Sequence, residues 1–137
     1  MAGISGVDAI RAQSLAQGMI RTIRVGALAA NEVRVYDEND SPLRETNTRY
    51  GYLNFISIQN LALTVNVEIG LDVGGGRILP VPGGAIIVEE NAIFNSFTLT
   101  NLTGSVITAA DAKLGKGITL MVGWQPPKAG VSISGLK

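Results

Sequence analysis

The densest set of potential ligand atoms in the chain is Asp37-Glu38-Asn39-Asp40-Ser41, with side-chain oxygens at alternate positions as in a calcium loop. The pattern then breaks. Pro42 stands where such a loop needs Gly for its sharp turn, and Thr48 stands where it needs a bidentate Glu. The run reads as a solvated acidic loop. Gly74-Gly75-Gly76-Arg77 follows a strand-like segment and suggests a phosphate loop, but no Gly-Lys-Ser/Thr follows and no long helix opens there to face an anion. Gly115-Lys116-Gly117 fails for the same reasons. Glu89-Glu90 is an adjacent acid pair of the kind glycoside hydrolysis uses. Neighbours on a strand point to opposite faces, so the two cannot flank one bond, and the pair reads as a solvated strand end. Tyr36, Tyr50, Tyr52 and Trp124 could line a sugar-binding face, yet Trp124 shares a strand face with Ile118, Leu120 and Val122 and reads as core. Asn39-Asp40-Ser41 and Asn101-Leu102-Thr103 match the glycosylation triplet. With no export signal before them, both are taken as chance matches.

Composition removes most remaining chemistry. The 137 residues contain no Cys and no His, so disulfides, thiolate nucleophiles, imidazole acid–base work and the commonest metal ligands are absent. Ser and Thr are plentiful, but no spacing singles out a nucleophile with a Lys or carboxylate base. No catalytic residue, cofactor-binding residue or metal ligand is assigned, and the chain is not expected to be an enzyme. Eleven Lys+Arg balance eleven Asp+Glu, and the balance holds regionally, six against six in residues 1–49 and five against five in 50–137. A nucleic-acid partner held by bulk charge is therefore not expected. Nothing approaches the roughly 20 apolar residues of a membrane-spanning helix, and the first residues lack the basic-then-apolar pattern of a secretory signal. The expected setting is the cytoplasm or an assembly formed there.

The elements that would position any site are mostly strands. A short helix is expected over residues 6–17, with Ser5 and Asp8 as an approximate capping box. The period then becomes two. Ile23 and Val25 flank Arg24, Val33 and Val35 flank Arg34, and the polar run 37–49 makes a long surface loop. Residues 64–73 alternate without a break, with Val65, Val67, Ile69, Leu71 and Val73 on one face, and this predicts a ten-residue strand. Residues 52–60 are apolar on both faces and read as a central strand. Pro80 and Pro82 confine residues 78–81 to an edge. Further strands are expected at 85–88, 96–100, 105–108, 117–124 and 131–133, with one helical turn capped by Thr108 and ended by Gly115. Seven to nine short strands without crossover helices indicate an all-β, antiparallel β-sandwich. The eight-strand jelly roll is the leading topology. Residues 1–22 are assigned to an N-terminal helix or arm, 23–127 to the sandwich and 128–137 to a C-terminal tail.

Phe55-Ile56-Ser57-Ile58-Gln59-Asn60, Val67-Glu68-Ile69-Gly70-Leu71 and Ile78-Leu79-Pro80-Val81-Pro82-Gly83-Gly84 together resemble small β-sandwich virion proteins of bacteriophages and other icosahedral viruses. The resemblance implies a capsid decoration, spike or minor capsid role in the virion, assembled in the host cytoplasm, and implies no catalytic residue. Mean hydropathy of +0.28 with zero net charge independently favours a chain that associates. The expected partners are other capsid or virion proteins and copies of the chain itself, a homo-oligomer, with no nucleic acid, membrane or small-molecule substrate. Contacts are expected from the loop 37–49 and the two termini. An alternative reading is a carbohydrate- or receptor-binding module using Tyr rings and loop carboxylates, with calcium as an aid. A hydrolase ranks third.

Overall fold

The computed structural model describes residues 18–73 and 76–126. The expected helix over 6–17, the tail 128–137 with its strand at 131–133, and Gly74 and Gly75 lie outside the described residues.

Among the described residues, period-two alternation becomes eight strands. They are β1 (Met19–Val25), β2 (Val33–Tyr36), β3 (Phe55–Asn60), β4 (Val67–Leu71), β5 (Arg77–Val81), β6 (Ile86–Glu89), β7 (Phe97–Asn101) and β8 (Ile118–Trp124). Two short helices accompany them among the described residues, α1 (Ser41–Tyr50) and α2 (Ala109–Lys113). The fold is mostly β, in two four-stranded sheets with every pairing antiparallel. Sheet I has the order β1-β8-β3-β6 and sheet II the order β2-β7-β4-β5. Strand β3, apolar on both parities, lies inside its sheet, and β5, which carries Pro80, lies at an edge. The missing N–H of proline explains that placement, because an edge strand has one side with no ladder to donate to.

The alternation over 64–73 sets the side-chain parity as expected, since Val65, Val67, Ile69 and Leu71 are buried and Val73 packs against the core. The strand itself is shorter, Val67–Leu71. Residues 63 and 64 form a turn, closed by the Val65 N–H donating to the Ala62 carbonyl at 3.0 Å. Val65 thus reaches the core from a turn, with the same alternation a strand would give.

Inward side chains from both sheets join one apolar cluster, with Val25, Ile56, Ile58, Leu120 and Val122 from sheet I and Val67, Ile69, Leu71, Phe97 and Leu99 from sheet II. Each end of this core is stopped by a bridge between loops. Leu28 pairs with Ile107 at one end and Leu53 with Phe94 at the other, and all four side chains are buried. Burying side chains of this size stabilises by about 1.5–3 kcal/mol each.

The segment expected as a loop over 37–49 is in part a helix. Asp40 is the N-cap residue of α1, Pro42 sits in the first turn, and Gly51 closes the helix at φ +83° with its N–H on the Asn47 carbonyl at 2.8 Å. Leu43, Thr46, Asn47 and Tyr50 form its inward stripe at helical spacing. Three of those four are polar-capable, so a stripe defined by hydrophobicity does not show. Helix α2 follows the sequence expectation closely. The Thr108 hydroxyl accepts from the Asp111 N–H at 3.0 Å, and Gly115 follows at φ +79°.

Candidate functional site

The residues singled out for chemistry do not converge. Asp37 and Asp40 spend their carboxylates on local backbone, Asp40 Oδ2 accepting from the Asp37 N–H at 3.1 Å and Asp37 Oδ2 from the Asn39 N–H at 3.3 Å. Among the described residues, no group of three or more acidic side chains is placed to hold a metal ion. Arg77, beside the glycine run, pairs with Glu89 at 2.6 Å. Gly115 and Lys116 belong to the turn that ends α2, where the Lys116 N–H donates to the Asp111 carbonyl at 2.9 Å.

The rings are dispersed. Tyr36 is buried and stacks on Phe97 at 4.8 Å, while Tyr50 and Trp124 stack on each other at 4.3 Å and 7° where α1 meets β8, and Tyr52 is half-buried. Trp124 keeps the inward parity of Ile118, Leu120 and Val122 but is only half-buried, at the end of the strand. Glu89 departs from the solvated strand end read from sequence, because its side chain turns inward and the residue is 8% exposed. Besides Arg77 it accepts the Asn91 N–H at 3.0 Å. Since β5 belongs to sheet II and β6 to sheet I, this ion pair ties the two sheets together along one open side.

What the fold does assemble is surface. The paired registers place Ile20, Thr22, Arg24, Phe55, Ser57, Gln59, Ile86, Val88, Thr119 and Met121 on the outward side of sheet I, because their neighbours in each strand point into the core. Ile86, Val88 and Met121 are exposed there. The outward side of sheet II presents Val33, Val35, Glu68, Gly70, Ile78, Pro80, Thr98 and Thr100 in the same way, with Val33, Val35 and Ile78 exposed. On each face the exposed apolar pair lies along an edge strand, Ile86 and Val88 on β6 and Val33 and Val35 on β2, and exposed apolar surface of this kind marks interaction sites.

A third apolar region is the end of the molecule formed by loops 26–32, 61–66, 82–85 and 102–117. Leu63 is 76% and Leu114 71% exposed, with Leu61, Leu102 and Val106 also exposed. These loops are held by buried asparagines. The Asn60 amide donates to the Val65 carbonyl at 2.7 Å and the Val81 carbonyl at 3.2 Å, while its oxygen accepts the Ala62 N–H at 3.0 Å. Asn101 repeats the arrangement at the end of β7, donating to the Ala29 and Ser105 carbonyls at 3.0 and 2.8 Å and accepting the Thr103 N–H at 2.9 Å. Asn101 is therefore enclosed and unavailable to glycosylation, while Asn39 is exposed.

At β2 the Ala29 N–H, and then the Arg34 guanidinium, hold the Glu32 carboxyl below the ordinary glutamate range. Burial opposes the charge of Arg34, but its hydrogen bonds to Glu32 and Tyr36 outweigh that and leave its pKa raised. Burial likewise raises the Tyr36 hydroxyl.

The opposite end is polar. Asn95 donates to Asn47 Oδ1 at 2.8 Å and to the Gly51 carbonyl at 2.9 Å, and its N–H donates to Asp72 Oδ1 at 2.8 Å, so α1 and two loops form one network. Beside it, an open groove of about 440 Å³ runs between β1 and α1, lined by Arg21, Ile23, Pro42 and Arg44 among others. The Arg21–Glu45 ion pair joins its two walls.

Sequence reasoning missed the buried asparagines, the Arg77–Glu89 tie and the outward apolar faces. One signal for the faces was present in Ile86-Ile87-Val88, which is apolar on both parities in a strand that lies at a sheet edge. No family model matches this chain, and no curated protein or solved structure matches it either.

Proposed function

We propose that this chain is a structural component of a virus particle, a capsid decoration, minor capsid or spike protein, acting by self-association and by binding neighbouring subunits. The observation that carries the reading is the strand order. Sheets ordered β1-β8-β3-β6 and β2-β7-β4-β5 support the reading as an eight-strand jelly roll, an architecture used by viral capsid and lectin domains and by cupins. Fold alone does not assign function, so the surfaces carry the rest. Exposed apolar side chains on both outward faces and on the loop end call for partners, and zero net charge supplies no repulsion to keep copies apart. The dispersed rings and internally bonded loop carboxylates give the glycan-binding alternative no assembled site.

Electron micrographs of the purified chain test the assignment. Regular rings, arrays or shells are the expected result. Isolated particles no larger than a 14.3 kDa subunit would count against it.

A further inference from the structure

We propose that copies of this chain stack head to tail, the outward face of sheet I of one copy lying on the outward face of sheet II of the next, with Arg24 and Glu68 pairing across the contact. The inference rests on the self-association reading above and specifies its surface and symmetry. Within the paired registers, each outward face carries one charged side chain. On sheet I it is Arg24, opposite Thr119, and on sheet II it is Glu68, flanked by Pro80 and Thr100. The ion pairs Arg21–Glu45, Arg34–Glu32 and Arg77–Glu89 involve neither Arg24 nor Glu68, which have no ion-pair partner among the described residues.

Each charge shares its face with exposed apolar side chains, Met121 on the strand beside Arg24 with Ile86 and Val88 at the far edge, and Ile78 on the strand beside Glu68 with Val33 and Val35 two strands away. Covering either face removes its lone charge from water, which is costly unless a counter-charge arrives with the partner. A two-fold contact of either face with itself brings two charges of the same sign and no counter-charge. Sheet I against sheet II brings one of each. Because the two surfaces differ, every copy has one face still open after the first contact, and the association continues into a ring or an open array.

Charge exchange tests this directly. Sedimentation of the full chain would be compared across micromolar to millimolar concentration for the native sequence, Arg24→Glu, Glu68→Arg, and an equimolar mixture of the two variants. Each variant alone should associate at least about tenfold more weakly. The mixture should recover native association, because in alternating copies every contact again pairs opposite charges. Recovery also shows that both variants fold, and the milder Arg24→Gln and Glu68→Gln provide a second series with intermediate loss. Unchanged association in both single variants, or a mixture as weak as its components, overturns the stacking while leaving self-association through another surface. A native chain that stays monomeric throughout overturns both.

Discussion

Asn60 and Asn101 show how much one enclosed amide can organise. Each ends a strand, and each accepts a following N–H and donates to two carbonyls of other segments, so its enclosed amide is fully used. Asn60→Ala is expected to destabilise by about 3 kcal/mol, since each orphaned buried group costs roughly 1–3 kcal/mol, and the shift in urea midpoint measures it. The Glu32 carboxylate provides a pH signature. Its pKa is lower in the folded chain than in the unfolded one, so its stabilisation is complete above the ordinary glutamate pKa and is lost as pH falls through the lowered folded value. The melting-temperature gap between the native chain and Glu32→Gln should accordingly be widest near neutrality and close in acid; a gap that widens in acid contradicts the assignment. Asparagine at a strand end was visible in the sequence. Its burial was not, because Asn ends strands in solvated turns just as readily, and only the loops folding over it make the difference.

Two polar groups in the elements stand out by their surroundings. Thr46 Oγ1 on α1 and Trp124 Nε1 on β8 are buried with no hydrogen-bond partner among the described residues. Thr46→Val keeps the shape and removes the unsatisfied hydroxyl, so it should raise stability by up to about 1 kcal/mol, read as an increase in melting temperature. Arg77→Ala should do the reverse, by about 1–2 kcal/mol after allowing for the half-exposed guanidinium, because it strands the inward Glu89 carboxylate. The double variant Arg77→Ala/Glu89→Gln should recover part of that loss. Gly123 lies against the β1 backbone, where an added Cβ would collide with the Met19 carbonyl oxygen, so Gly123→Ala should displace β1 from β8 and lower the unfolding midpoint. Strands were legible because alternation is a local property. Helix α1 was hidden because its inward stripe of Leu43, Thr46, Asn47 and Tyr50 is mostly polar, leaving its cap residues as the only signal.

At the level of the whole molecule, alternation predicted a β fold, and antiparallel pairing into two sheets follows from short connections without crossover helices. The sheet order was not readable, since β8 inserts between β1 and β3 through a pairing that spans most of the chain. Nor did period-two patterning identify the surfaces, because the wet parity was assumed to be polar. Val33, Val35, Ile86 and Val88 occupy outward positions and remain exposed, and the loop end adds Leu63 and Leu114. Such area in an electrically neutral chain is the physical basis for assigning it a place in an assembly. Sedimentation velocity of the purified full chain at micromolar concentration tests that claim most directly. The predicted result is a boundary heavier than one subunit that grows with concentration, and a sharp 14.3 kDa boundary unchanged across the range would contradict it.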